Sequence, residues 1–210
     1  LFAITQQLQA VTCNWGYCNS VVNDQFGSVN KGKGAIYIPA EISKMYEGKQ
    51  LSYVRVGLAA KAKTVKVFVT KDLNGEYITT RTQRDQLSGF NEIKFAEPWT
   101  IDGEGFYIGY EFESDDYALG SSTMYNENGC WADLGDGWKN YAVEDHALAL
   151  SIQAKISGDN LPKDYWLFCS NDILAEAGKP FNINFSIRNM GTAIGRRFQV
   201  AYSIDGGEEV

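Results

Sequence analysis

At 210 residues the chain can form one large β domain or two modest ones, with ample material for a buried core. Charged residues make up 21% and the formal net charge is −7, with no basic stripe, which argues against nucleic acid or an anionic membrane as a partner. No apolar run approaches the roughly 18 to 20 residues that a membrane span requires.

The chain opens on "LFAITQQ", without an initiator Met or a charged leader, as expected of a mature or truncated chain whose targeting segment has been removed, which permits an exported origin. In "NWGYC" (14–18), Trp15 and Tyr17 are expected to be buried. "YIPAEISKMYEGK" predicts the one short helix, with Pro39 in its first turn, Gly48 just past its end, and Ile42, Met45 and Tyr46 as an apolar stripe. Twelve Tyr, five Trp and 21 Gly against four Pro suit β-strands joined by tight turns.

Period-two alternation then takes over, the mark of half-buried strands. Val54, Val56 and Leu58 share one face, as do Val65, Val67 and Val69, with Lys66, Phe68 and Thr70 pointing the other way. Asn74-Gly75 signals a hairpin. Phe106, Ile108, Tyr110 and Phe112 share a face, and the longest run is Leu148, Leu150, Ile152, Ala154 and Ile156. Trp99 and Trp166 are expected to pack, the latter as a wedge between two domains.

"SGDNLPKDY" reads as a linker. Beyond it, Ile183, Phe185 and Ile187, then Phe198, Val200, Tyr202 and Ile204, alternate like the opening strands of an immunoglobulin-type sandwich. Such a sandwich needs about 100 residues, so the tail is expected to be the start of a further domain in a longer protein. Its strands should dock on the first domain, pair with a neighbour, or be held from outside the chain. The predicted fold is therefore all-β: an antiparallel jelly-roll β-sandwich over 1–158, a linker at 159–163, and an incomplete Ig-like segment over 164–210.

Cys13, Cys18, Cys130 and Cys169 form no Cys-x-x-Cys pair, and the single His gives a zinc site no support. The cysteines are either buried thiols or include at least one disulfide. Cys18 with Cys130 is the expected pair in that case, each beside an aromatic (Tyr17, Trp131) in a turn-rich stretch.

The segments at 14–18, 35–58, 66–76, 90–112 and 147–162 together resemble the jelly-roll module of surface and secreted proteins of Bacteroides-like bacteria. That module is related to the cleaved-adhesin, galactose-binding-like group, and some copies accompany streptopain-like cysteine peptidases. "PFNINFSIRNMGTA" and "FQVAYSIDGG" resemble the start of an Ig-like adhesion domain of the CARDB kind. The resemblance implies an exported cell-surface or extracellular protein in which such modules stand in tandem. It also implies that a structural Ca²⁺ can sit near a sheet edge. The oxygen-rich loops for it are "NDQFG" (23–27) and "ADLGDG" (132–137), which makes Asp24, Asp133 and Asp136 the candidate ligands.

Catalysis finds little support. A Cys–His pair would have to use His146, which reads as an edge-strand residue, and neither a G-x-S-x-G elbow nor an H-E-x-x-H occurs. The acids of "ESDD" (113–116), "DGE" (102–104) and "VED" (143–145) read as solvated loop charges. The stretch that invites a function is "NGCWADLGDGWKNY" (128–141), on a connection of about 20 residues; loops of that length are usually functional or disordered, and two Trp and a Tyr argue against disorder. Trp131, Trp138 and Tyr141 could form a platform for sugar C–H faces, with Asp133 and Asp136 bonding hydroxyls; alternatively the tryptophans plug the end of the sandwich. The expected role is a non-catalytic adhesion or binding module whose partner is a glycan or a host or cell-surface protein. The alternatives are a carbohydrate-binding accessory of a secreted enzyme and the accessory region of a cysteine peptidase.

Overall fold

The alternating residues meet in pairs of antiparallel strands, and the apolar member of each alternation lies between two facing sheets. The computed structural model describes residues 11–142, 148–169, 179–180 and 185–190. One sheet contains β1 (Thr12–Trp15), β4 (Gln50–Leu58), β7 (Gly89–Thr100) and β13 (Ile152–Ser157), in the order β1-β13-β4-β7. The opposing sheet contains β3 (Lys31–Ile38), β5 (Ala62–Thr70), β6 (Thr79–Gln86), β8 (Phe106–Ser114), β10 (Trp131–Asp133) and β11 (Trp138–Asn140). Its order is β11-β10-β3-β8-β5-β6. A small third sheet joins β2 (Asp24–Gln25), β9 (Gly120–Ser122) and β12 (Ala149–Leu150). The all-β sandwich predicted from the alternation is the observed architecture. The chain changes sheet between β3, β4 and β5, and again between β6, β7 and β8, so neighbours in sequence face each other across the core.

That core is built from the residues the alternation singles out. Val54, Val56, Leu58, Val65, Val67, Val69, Phe106, Ile108, Tyr110 and Phe112 are all buried in one cluster. Burying each such side chain contributes about 1.5–3 kcal/mol before the ordering cost. The Tyr110 hydroxyl donates to Gly57 O at 3.2 Å and accepts from Gly120 N at 3.3 Å, so its polar end is also satisfied inside. The run from Leu148 to Ile156 does not form one strand. It breaks at Ser151, whose backbone bonds Gly57 and Gly120, so β12 serves the small sheet and β13 the four-stranded one. The predicted hairpin at Asn74-Gly75 joins β5 to β6, and Asp72 closes its turn by accepting Asn74 N at 2.9 Å.

The helix α1 (Ala40–Met45) is shorter than its sequence stripe suggests. Pro39 is its extended N-cap rather than a first-turn residue. Tyr46 is buried and Ile42 packs on the core, but Met45 is 40% exposed and Ser43 is buried in its place. At 3.6 residues per turn Ile42, Tyr46 and Ser43 fall within an arc of about 100° facing the core, and Met45 lies beyond its edge.

The 159–163 stretch is not free of the sandwich: Leu161 belongs to the main core cluster. Just past it, β14 (Tyr165–Cys169) pairs antiparallel with β15 (Phe185–Asn189) in a two-stranded sheet. Trp166 stands edge-on to Trp15 at 5.4 Å and tilted against Tyr17 at 5.2 Å, both of which are buried as expected. Arg188 donates to the Cys18 carbonyl, and Met190 is buried. Through these contacts the described strands β14 and β15 pack on the preceding sandwich. Ile183, Phe198, Val200, Tyr202, Ile204 and His146 lie outside the described residues.

The Cys18–Cys130 disulfide is not formed. Both are buried free thiols, as is Cys13. Cys18 is held elsewhere, its thiol donating to Ile152 O at 3.5 Å, and its backbone carbonyl accepts the Gln153 amide and the Arg188 guanidinium.

Candidate functional site

The stretch at 128–141 folds as a short hairpin rather than a long loop, a correction that relocates its aromatics. Strand β10 pairs with β3, and β11 pairs with β10, so the hairpin extends the six-stranded sheet. Asp133 organises the turn, its Oδ1 accepting Gly135 N at 3.0 Å and Gly137 N at 3.1 Å. Both glycines have positive φ, +117° and +91°, a conformation that glycine adopts without a Cβ penalty.

Register then decides which residues share the outer face of that sheet. One row across the strands is Asn140, Trp131, Ala35, Gly109, Phe68 and Thr80. The next row is Trp138, Asp133, Lys33, Glu111, Lys66 and Thr82. The small centre of the first row, Ala35 and Gly109, leaves space that the Phe68 ring fills: a Cβ on Gly109 would lie 2.6 Å from Phe68 Cζ. Phe68 is therefore fully buried although it faces outward, because Tyr77 stacks on it at 4.4 Å and 7°, and Trp138 meets it edge-on at 6.2 Å. Trp131 stands edge-on to Tyr107 at 5.6 Å, and Tyr107 lies 4.8 Å from Tyr37. Each aromatic pair contributes about 0.5–1.5 kcal/mol beyond its area. This second cluster is separate from the main core and half-exposed on its far side.

The charged row is ordered by sign. Lys33 is 3.8 Å from Asp133, and Lys66 is 3.5 Å from Glu111. Glu111 also accepts the Tyr77 hydroxyl at 2.7 Å, while Lys66 lies 4.7 Å from the centre of the Tyr77 ring and Lys33 lies 5.9 Å from that of Trp138. Burial, reinforced by the neighbouring Glu111 carboxylate, pushes the Tyr77 hydroxyl well above the usual phenol range. Two shallow cavities of about 270 and 250 Å³ sit along this row and share Lys31, Glu111 and Phe112.

The five predicted platform residues are thus split. Trp131 and Trp138 share the outer face with Asp133. Tyr141 does not join them: it packs on the main core, edge-on to Phe26 at 5.2 Å. Asp136 ion-pairs with exposed Lys139, and that contact holds its carboxyl below the usual range. Both tryptophans are half-buried on the outer face of the six-stranded sheet, in the second cluster. The Trp131 Nε1 finds no acceptor among the described residues. The sequence reading missed Tyr37, Tyr77, Tyr107, Lys33, Lys66 and Glu111 as site residues. Alternation puts Tyr107 and Glu111 opposite the inward face of β8, but only the register brings them beside the tryptophans.

For calcium, Asp24, Asp133 and Asp136 are not gathered: among the described residues no three acid, His or Cys side chains form a cation-holding group. Two of the three are also committed to lysines. The described thiols suit a core rather than a nucleophile, because burial pushes Cys13 and Cys18 up to about 11 and Cys130 up to about 12.

No family model and no curated protein matches the chain. Among solved structures it is similar to a clostridial cysteine protease, Cwp84, in a Cys-to-Ala form after propeptide cleavage. The TM-score is 0.55 at 10% identity, over 70% of this chain and 40% of that one, a likeness of fold alone. The chain thus spans less than half the length of the protease chain it resembles.

Proposed function

We propose that the chain is a non-catalytic binding module of an exported, multidomain bacterial surface protein, and that the outer face of its six-stranded sheet is the contact surface. The observation that carries this reading is the second aromatic cluster. Phe68, Tyr77, Tyr107, Trp131 and Trp138 gather on a face that covers no other sheet among the described residues, beside lysines and carboxylates in alternation. A half-exposed aromatic cluster with a polar border is the usual chemistry of a recognition surface. The partner is a glycan or a host or cell-surface protein. The resemblance of the sequence to adhesin-type jelly rolls and to CARDB supports a place among tandem modules.

A second reading, the accessory region of a cysteine peptidase, draws support from the fold shared with part of a clostridial cysteine protease. In either setting this chain acts by contact, and its described thiols are buried.

The test is to display the chain against arrays of glycans and of cell-surface proteins, alongside Trp138→Ala. Binding that Trp138→Ala removes while the melting temperature holds supports the contact surface. Binding that Trp138→Ala leaves intact places the contact elsewhere. A peptidase catalytic domain on the same polypeptide would favour the second reading.

A further inference from the structure

The two cavities on the outer face are parts of one trough. They meet at Lys31 and Glu111, and their far ends reach Asp133 on β10 and Thr82 on β6. The trough therefore runs across five adjacent strands, about 19 Å at a spacing near 4.8 Å. Trp138 and Tyr77 do not line the cavities but border them: Lys33 lies over the Trp138 ring, the Tyr77 hydroxyl donates to Glu111 beside Lys66, and both rings lean on Phe68.

The charges along it cancel. Lys31, Lys33 and Lys66 contribute three positive charges, and Glu111, Glu113 and Asp133 three negative ones. A ligand of either sign gains nothing from the summed field and must compete with the ion pairs already formed. A neutral ligand with many hydroxyls meets no such barrier. Its hydroxyls can donate to Glu111 and Asp133 and accept from Lys33 and Lys66, while its C–H faces lie on Trp138 and Tyr77. An extended peptide fits less well, since strand addition needs the free backbone of a sheet edge and this trough crosses the sheet face, where the backbone is already paired.

From this geometry we infer that the trough takes a neutral oligosaccharide laid across the strands. Trp138 and Tyr77 are its stacking residues, and Glu111 is the acceptor that fixes its orientation. This inference rests on the proposed reading of the outer face as the contact surface and adds the ligand class to it.

The test is calorimetric titration of the 210-residue chain with neutral oligosaccharides (cello-, xylo-, manno- and β-1,3-gluco-oligomers and lactosamine repeats). Galacturonate oligomers, sialylated lactosamine and heparin fragments serve as acidic counterparts. At least one neutral oligomer is expected to bind, with affinity changing less than about twofold between low and high salt, because no net charge is neutralised. Trp138→Ala and Glu111→Gln should each weaken it by about tenfold or more with the fold retained by circular dichroism. Binding confined to acidic glycans overturns the inference, as does neutral binding that survives both substitutions. The absence of any sugar binding overturns it too. In that case, retention of a protein or cell-surface partner by wild type and its loss in Trp138→Ala would leave the contact surface standing without the sugar.

Discussion

The indole N–H of Trp15 donates to a carboxylate oxygen of Asp164 at 3.1 Å, across 149 positions of sequence, and the Tyr46 hydroxyl donates to the same oxygen at 3.1 Å. All three residues are buried. One carboxylate thus satisfies the polar ends of two large aromatics, one on β1 and one just past α1, and ties the segment after the sandwich to both.

Removing that acceptor should cost more than removing a surface ion pair. Asp164→Ala leaves two buried donors unpaired, and each such loss is about 1–3 kcal/mol. Asp164→Asn keeps a carbonyl in reach of both and should cost less than half as much. Urea unfolding followed by Trp fluorescence checks the order, which a merely exposed Asp164 would not produce.

Gly109 should be intolerant of any side chain. A Cβ there would lie 2.3 Å from Gly34 O, 2.6 Å from Phe68 Cζ and 2.8 Å from Ala35 Cβ. Gly109→Ala is expected to destabilise the fold by about 1–3 kcal/mol or more, as overpacking does. It should also displace Phe68 and disorder the aromatic cluster. Gly135→Ala, where nothing lies within 4 Å, carries only the cost of its +117° φ and serves as the comparison in thermal melts.

The buried thiols give the chain an alkaline limit. Cys18 and Cys130 rise from the ordinary 9.0 to about 11 and about 12, with burial as the leading cause. The folded chain therefore holds these protons to higher pH than the unfolded chain does. Their effect on stability is flat below pH 9.0, then stability falls as pH climbs through 9.0 toward 11 and 12. Denaturant titrations across that window should show the decline, and Cys18→Ser/Cys130→Ser should flatten part of it. At neutral pH both thiols should react with a thiol reagent only after unfolding.

Added Ca²⁺ or EDTA should leave the melting temperature unchanged, because Asp24, Asp133 and Asp136 are not gathered into a site. The carboxylate of Asp133 is already shared between two backbone N–H groups and Lys33, and Asp136 is paired with Lys139. A clear rise with Ca²⁺ would point to other oxygens of the chain.

Inward faces are legible in the sequence because period two is a property of a single strand. Val65, Val67 and Val69, or Phe106 through Phe112, announce their burial without any knowledge of their partners. Phe68 is the instructive departure. Its outward position is readable, but its burial depends on Tyr77 and Trp138 closing over it, which register alone arranges. The same limit applies to the site. Trp131 and Trp138 stand out by composition, whereas Lys33, Lys66, Glu111 and Tyr107 become their neighbours only once β3, β5, β8 and β10 are aligned. Tyr141 is misplaced for a related reason: its N–H still bonds Cys130 O, but one step past Asn140 in the alternation its side chain falls on the inner face, against Phe26. The disulfide fails because an aromatic neighbour says nothing about how far apart two cysteines lie in space.

Amide chemical-shift mapping of the labelled chain, titrated with whichever array partner binds, tests the contact surface most directly. The account requires the largest shifts at Lys33, Lys66, Glu111, Asp133 and the Trp131 and Trp138 indoles. Shifts gathered instead on Tyr53, Arg55 and Lys155 of the opposing sheet, with the outer aromatic cluster silent, would contradict it.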